Sequence, residues 1–315
     1  MIGDEAERLM VAIERAVVGR RLELEALVAG FLAHGHVLLE GPPGSSKTLM
    51  VRALAAASGC TFRRIQFTPD LMPADITGTS VFDARDAKFR FVPGPIFADI
   101  VLADEINRAP AKTQAALLEC MEEGTVTIDG VTHALPRPFS VVATMNPIEF
   151  EGTFPLPEAQ SDRFLMKIRL RELEEAAELE VIARFVGGFD PWALASSGLS
   201  PVFDAGSLEG LRQRARSVAV EAHVQAYLVE VVRRTRTHPN VSLGASTRAG
   251  VALLRASRSR AACQGRDYVI PDDIKFLAPY VLSHRLVIKP EAELEEADGA
   301  RVVSEILAAV PVPRV

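Results

Sequence analysis

The chain has 315 residues, 48% hydrophobic and 24% charged, which is enough apolar material for a sizeable core and two domains. A net charge of −6 argues against a nucleic-acid coat, and a single tryptophan, Trp192, argues against stacking platforms for single strands. No apolar run reaches the ~18–20 residues of a membrane span, and the acidic start MIGDEAERLM is no signal peptide. Cys60, Cys120 and Cys263 are far apart and in no metal-like spacing. A reducing, cytoplasmic setting is therefore expected.

Residues 4–16 and 22–32 read as helices, separated by Val17-Val18-Gly19-Arg20. His34 and His36 have no carboxylate or cysteine beside them, so they read as a helix cap and a strand start rather than as metal ligands. Val37-Leu38-Leu39 is long enough for one buried strand, and Gly41-Pro42-Pro43-Gly44 then forbids both helix and strand. Lys47-Thr48 opens a helical pattern that stops at Gly59.

Strand, glycine-bearing turn and helix together make a phosphate loop credible. Its N–H groups and the helix dipole converge on an anion. Gly41 to Leu49, with Pro42, Pro43, Gly44, Ser45 and Ser46 between, form the expected nucleotide cradle. Lys47 would reach the β- and γ-phosphates, and the Thr48 hydroxyl would ligate magnesium. Ser46 stands where the usual pattern has its second glycine. The expectation is that Ser46 already enters the helix and needs no positive φ.

Residues 61–67 read as a second strand, followed by a long insertion, 68–95, with strand-like pieces at Thr79–Phe82 and Lys88–Val92. A connection this long is expected to be functional. The apolar run Ile100 to Ala103 then ends in Asp104-Glu105. Strand ends of an open α/β sheet face the ligand crevice, so Asp104 suits the magnesium shell and Glu105 suits a base for the attacking water. A helix from Pro110 to about Glu123 precedes a hairpin at 125–135 that turns on Asp129-Gly130. Residues 139–144 form the next buried strand, and Asn146 at its end suits the positioning of a water or a γ-phosphate oxygen. A loop at 151–157, a short helix at 158–163 and a strand at 164–168 complete this half. Helical patterns follow near 171–186, 207–218, 221–236, 246–261, 271–282 and 291–309. A βα half thus precedes an all-helical half.

This set of motifs resembles the AAA+ ATPases, and within them the MoxR-like, helix-2-insert branch. The resemblance rests on GPPGSSKT (41–48), VLADEINRAPAKTQAALLECMEEG (101–124), ATMNP (143–147), EGTFPLPEAQSDRF (151–164) and GASTRA (244–249), where Thr247 replaces an expected proline. It implies a P-loop αβα sandwich around a parallel five-stranded sheet over residues 1–186, and a helical lid over 187–315. It makes Lys47 and Thr48 the Walker A pair and Asp104 and Glu105 the Walker B pair. Asn146 matches sensor 1, Arg163 the arginine finger given to a neighbouring subunit, and Arg248 sensor 2, reaching the γ-phosphate from the lid. Val17, Val18 and Gly19 fall where adenine packs. Residues 68–95 resemble the helix-2 insert, and 125–135 the pre-sensor-1 hairpin.

The resemblance also implies ATP and Mg2+ as ligands, a homo-oligomer built as a hexameric ring, and chaperone-like remodelling or metal loading of client proteins with a von Willebrand factor A-domain partner. Two rival readings stand beside it: a nucleic-acid or chelatase-type motor, and a nucleotide-gated scaffold that does not hydrolyse. Arg108 is the alternative to Arg163 as the trans finger. All three arginines follow turns or open helices, from which a side chain can reach out.

Overall fold

The computed structural model describes residues 2–147 and 153–313, so Glu151 and Gly152 of the expected loop lie outside the described residues. Two helices, α1 (Ile2–Glu14) and α2 (Arg21–Leu32), lead into β1 (Val37–Glu40), α3 (Lys47–Ser58) and β2 (Phe62–Gln66). The insertion folds as a short helix α4 (Pro73–Thr77) and a hairpin of β3 (Gly78–Asp83) with β4 (Lys88–Pro93). Its strands match the expected pieces, but α4 was not anticipated. Next come β5 (Ile100–Asp104), α5 (Ala111–Glu123), the hairpin β6 (Thr125–Ile128) and β7 (Val131–Ala134), β8 (Ser140–Met145), α6 (Glu158–Ser161) and β9 (Met166–Arg169). Asp129 and Gly130 both take positive φ (50° and 78°), as a two-residue hairpin turn requires.

The central sheet has the order β2-β5-β8-β1-β9, with every neighbour parallel. Covered on both faces, its strands can be apolar throughout, and all of β5 is buried. Alternation divides the side chains between two cores. Val37, Leu39, Ile100, Leu102 and Val142 join one cluster, while Leu38, Val101, Ala103, Val141 and Ala143 join the other.

The C-terminal half consists of α7 (Glu175–Val186), α8 (Ala205–Ser217), α9 (Ala222–Thr237), β10 (Val241–Leu243), α10 (Thr247–Cys263), α11 (Pro271–Leu282), β11 (Val287–Ile288), α12 (Pro290–Glu293) and α13 (Gly299–Ala309). Its helices do not close a core of their own. Leu211, Leu253 and Leu277 share one apolar cluster with Leu9, Leu27 and Leu39. The last predicted helix, 291–309, is in fact two. Glu296 takes φ 58° and breaks it, and the Asp298 carboxylate then caps α13 by accepting from the Arg301 N–H at 2.8 Å. The helix expected at 171–186 begins only at Glu175.

Candidate functional site: a phosphate loop facing two carboxylates

The loop between β1 and α3 opens onto a cavity of about 510 Å³ at the finishing ends of the strands. Pro43 to Leu49 line it on one side, Asp104, Glu105 and Asn146 on another, and Val181, Arg184 and Phe185 of α7 on a third. The Lys47 ammonium donates to the Gly41 and Pro42 carbonyls at 2.7 and 2.8 Å, which folds it back along its own loop. The Ser45 hydroxyl donates to the Pro42 carbonyl at 2.7 Å and tightens the same turn.

Ser46 differs from the expectation. It is not helical but left-handed, with φ 68° and ψ 15°, one residue before α3. The usual glycine suits that conformation without cost, whereas a residue with a Cβ incurs about 1–2 kcal/mol.

The carboxylates are held by neighbours from two other strands. Thr144 donates its hydroxyl to Asp104 Oδ1 at 2.6 Å and accepts the Glu105 N–H at 2.8 Å. Glu105 sits in the left-handed region, φ 58° and ψ 52°, which turns its side chain out of the strand line. Gln66 donates to Glu105 Oε2 at 2.8 Å, and Arg108 Nε lies 3.2 Å from the same oxygen. Asn146 is buried, 5% exposed, on the same cavity wall. The Thr48 hydroxyl lies 3.5 Å from Asp104 Oδ2. Two hard oxygen donors at that spacing fit a shared magnesium ion.

Two residues in this constellation escaped the sequence reading. Arg64 grips Asp104 Oδ2 through both Nε and Nη2 at 2.8 Å, and Gln66 holds Glu105. They sit two apart on β2, hence on one strand face. The parallel register that sets Gln66 beside Asp104 appears only in the folded sheet.

The expected adenine contacts stay together: Val17, Val18 and Gly19 all line an adjoining groove with Leu173 and Ala177, and Val18 also lines the phosphate-loop cavity. Gly19 has φ 68°, and a Cβ there would meet the Ala177 Cβ at 2.7 Å, so only glycine lets α7 approach this closely.

Arg163 and Arg248 lie at the other end of the sheet. Arg163 pairs with Glu122 at 3.2 Å, and Arg248 reaches Glu122 at 3.5 Å and Asp162 at 3.8 Å. Both line a depression with His34, His36 and Arg255. That depression sits at the strand starts. His36 accepts the Val141 N–H on Nδ1 at 3.0 Å, its carbonyl accepts the Leu165 N–H at 2.8 Å, and its Nε2 meets the Met121 carbonyl at 3.0 Å. Four residues of β1 separate His36 from the phosphate loop, about 13 Å of extended chain. Within one chain, Arg248 therefore does not reach the phosphate loop. Arg108 stays on the carboxylate side, against Glu105.

The three histidines at this end are kept neutral. Burial, reinforced by Arg212, Arg216, Arg255 and Arg137, lowers His34 to about 3. Burial and then Arg255 lower His36 to about 4, against the opposing pull of the Met121 carbonyl. Burial and Arg285 hold His284 well below its ordinary value. All three cysteines are free, and burial raises Cys120 to about 11 and Cys263 to about 12, so neither is a ready thiolate. Among the described residues no helix is long and apolar enough to cross a membrane.

Comparison with known proteins agrees with this geometry. Residues 36–166 match the model of the ATPase family associated with various cellular activities (AAA), and residues 233–306 match the AAA lid domain. The chain is 48% identical to the uncharacterized protein YeaC of Bacillus subtilis, across 96% of this chain and 92% of that protein. It is 43% identical to chaperone MoxR1 of Mycobacterium tuberculosis, across 98% of this chain and 82% of that one. A crystal structure of a candidate ATPase from Cytophaga hutchinsonii superposes with a TM-score of 0.90 at 38% identity, covering 99% of this chain and 96% of its own. With a parallel P-loop sheet, a helical lid and relatives that span nearly its whole length, the chain belongs to the MoxR-like AAA+ ATPases.

Proposed function

We propose that the chain hydrolyses ATP in a site shared between neighbouring copies and uses the cycle to remodel or mature client proteins. The observation that carries this reading is the position of Glu105. Its carboxylate is held by Gln66 at 2.8 Å, and the residue lines the same cavity as Asn146 and the phosphate loop. Glu105 takes the proton of the attacking water. Asn146 orients that water or a γ-oxygen, and Lys47 with the loop N–H groups balances phosphate charge. Bound magnesium would supply further positive charge and would be held by Thr48 and Asp104.

Arg163 and Arg248, at the far end of the sheet, complete the site of the next copy. A head-to-tail ring meets that requirement, and we read it as a hexamer in which 1–186 is the motor body and 187–315 the lid. The aromatic pair Phe82 and Phe89, 53% and 73% exposed at the tip of the β3–β4 hairpin, supports a client-contacting role for the insertion. Phe91 of that hairpin stacks on His133 of the other at 4.1 Å, which couples the two. A von Willebrand factor A-domain partner, metal loading and a cytoplasmic site of action complete the reading. The segment TVTIDGVTHAL carries no Lys or Arg, which favours protein clients over nucleic acid.

The test is Glu105→Gln, assayed by phosphate release and by nucleotide binding. Binding persists and hydrolysis falls by ~10²-fold or more. A pull-down with this trap variant in ATP then recovers the client. Retained turnover rejects Glu105 as the base.

A further inference from the structure

Among the described residues, nothing buries the outer face of α7. Leu179, Ile182 and Val186 form one stripe, 65%, 63% and 85% exposed, and no residue of this helix is buried. Positions 175, 178, 179, 182 and 186 share one side of a helix at 3.6 residues per turn, so Glu175 and Glu178 extend the same stripe. The opposite side of α7, through Val181 and Arg184, lines the nucleotide cavity. An acidic, apolar ridge therefore runs beside the phosphate loop.

A matching groove lies between helices of the C-terminal half. Between α9 and α10 a cavity of about 520 Å³ is floored by Leu228, Val232, Val251 and Leu254 and edged by Arg233 and Arg258. Neither arginine pairs with a carboxylate among the described residues, and Arg258 Nε is buried without a hydrogen-bond partner. The groove is continuous with the arginine end of the sheet, because Val251, 51% exposed, lines both it and the depression that holds Arg163 and Arg248.

We infer that the α9–α10 groove of one copy receives the α7 ridge of the next. This inference rests on the shared-site reading above. If Arg163 and Arg248 meet the neighbour's phosphate loop, the adjoining groove meets the neighbour's α7, which flanks that loop. Apolar stripe fits apolar floor, and Glu175 and Glu178 meet Arg233 and Arg258. Such paired charges set register and reject wrong docking more than they add affinity. The partner is thus a second copy of this chain, and the lid takes part in assembly directly.

The experiment is a charge exchange read by sedimentation velocity in ATP and magnesium. Glu175→Arg with Glu178→Arg, on the outer face of α7, should weaken assembly at least about tenfold. Arg233→Glu with Arg258→Glu should do the same. All four changes in one chain restore assembly, with monomer nucleotide binding confirming in every case that the chain is folded. Assembly indifferent to both single sets overturns the docking but leaves the shared site standing, provided Arg163→Ala and Lys47→Ala chains still complement one another. Weakening by each set without recovery in the fourfold variant also overturns the pairing. If the single sets spare assembly and abolish client binding, the groove takes a different protein and the inference is wrong. A wild-type chain that stays monomeric in nucleotide sinks both readings together.

Discussion

The two ends of the parallel sheet carry unlike charges. At the finishing ends stand Asp104 and Glu105, held by Arg64, Gln66 and Thr144, with a phosphate loop whose lysine is folded back on its own carbonyls. At the starting ends stand Arg163, Arg248 and Arg255 around Glu122 and Asp162, with three neutral histidines among them. ATP brings several negative charges, and its transition state spreads charge over the γ-oxygens. One end has the base and the loop, and the other gathers Arg163, Arg248, Arg255 and Arg285 around only two carboxylates, Glu122 and Asp162. A strand's length, about 13 Å, keeps them apart within one chain. In the ring proposed above, a head-to-tail neighbour supplies what each end lacks.

The most drastic way to break this comparison is to remove one half from each of two chains. Arg163→Ala should lower the rate by ~10³–10⁵, as expected for a trans arginine that stabilises charge on the transferring phosphoryl group. Lys47→Ala should be inactive through the other half, losing nucleotide affinity as well. Mixed in equal amounts, the two recover activity, because random mixing makes roughly a quarter of the interfaces productive in a heterologous ring. Native electrophoresis first confirms mixed assembly. Mixed rings that stay dead at every ratio, while Arg108→Ala complements Lys47→Ala, would transfer the finger to Arg108.

The two ends also differed in how far the sequence disclosed them. The phosphate loop, the Asp104-Glu105 strand end and Asn146 were legible because each lies where an apolar run stops at turn residues, a local pattern. The βα half followed from those runs, and the parallel five-stranded sheet was implied by the family resemblance. Arg64 and Gln66 were not legible, since their meaning depends on β2 lying next to β5. The lid's packing was hidden for the same reason. Arg248 opens α10 as expected, yet α10 packs on α1 and α2, and that carries the arginine to the strand starts. The break between α12 and α13 did have a local signal, Asp298-Gly299, masked by the apolar periodicity on either side.

A milder test separates the ends by pH. His36 has its folded pKa lowered to about 4 from an ordinary 6.5. Between those values the unfolded chain binds more protons than the folded one, so stability is intact above pH 6.5 and lost as pH falls toward 4. From 6.5 to about 4, this loss is on the order of 3 kcal/mol. The neutral ring accepts the Val141 N–H on Nδ1, and protonation forbids that bond. Amide exchange should therefore accelerate on acidification at 34–36 and 163–165 before it does at 45–48, after correction for intrinsic rates. Uniform acceleration at both ends would mean that the histidines do not distinguish them.

The smallest effect lies in the loop itself and is decided by its sign. Ser46 adopts φ 68°, a conformation that costs a residue with a Cβ about 1–2 kcal/mol and glycine almost nothing. Ser46→Gly removes that strain but adds freedom to the unfolded chain, worth roughly 0.5–1 kcal/mol in the opposite direction. The balance is a gain of up to ~1.5 kcal/mol, read as a rise in the denaturation midpoint at constant m. Nucleotide affinity should change little, because the backbone N–H groups that face the phosphates keep their places. If Ser46 were instead the first helical residue, the same substitution would destabilise the chain by up to ~1 kcal/mol, the ordinary penalty for glycine in a helix. A fall in the midpoint thus rejects the left-handed turn, and a rise supports it. A large gain in affinity alongside the rise would show that serine had also been holding the loop away from its phosphate-binding shape.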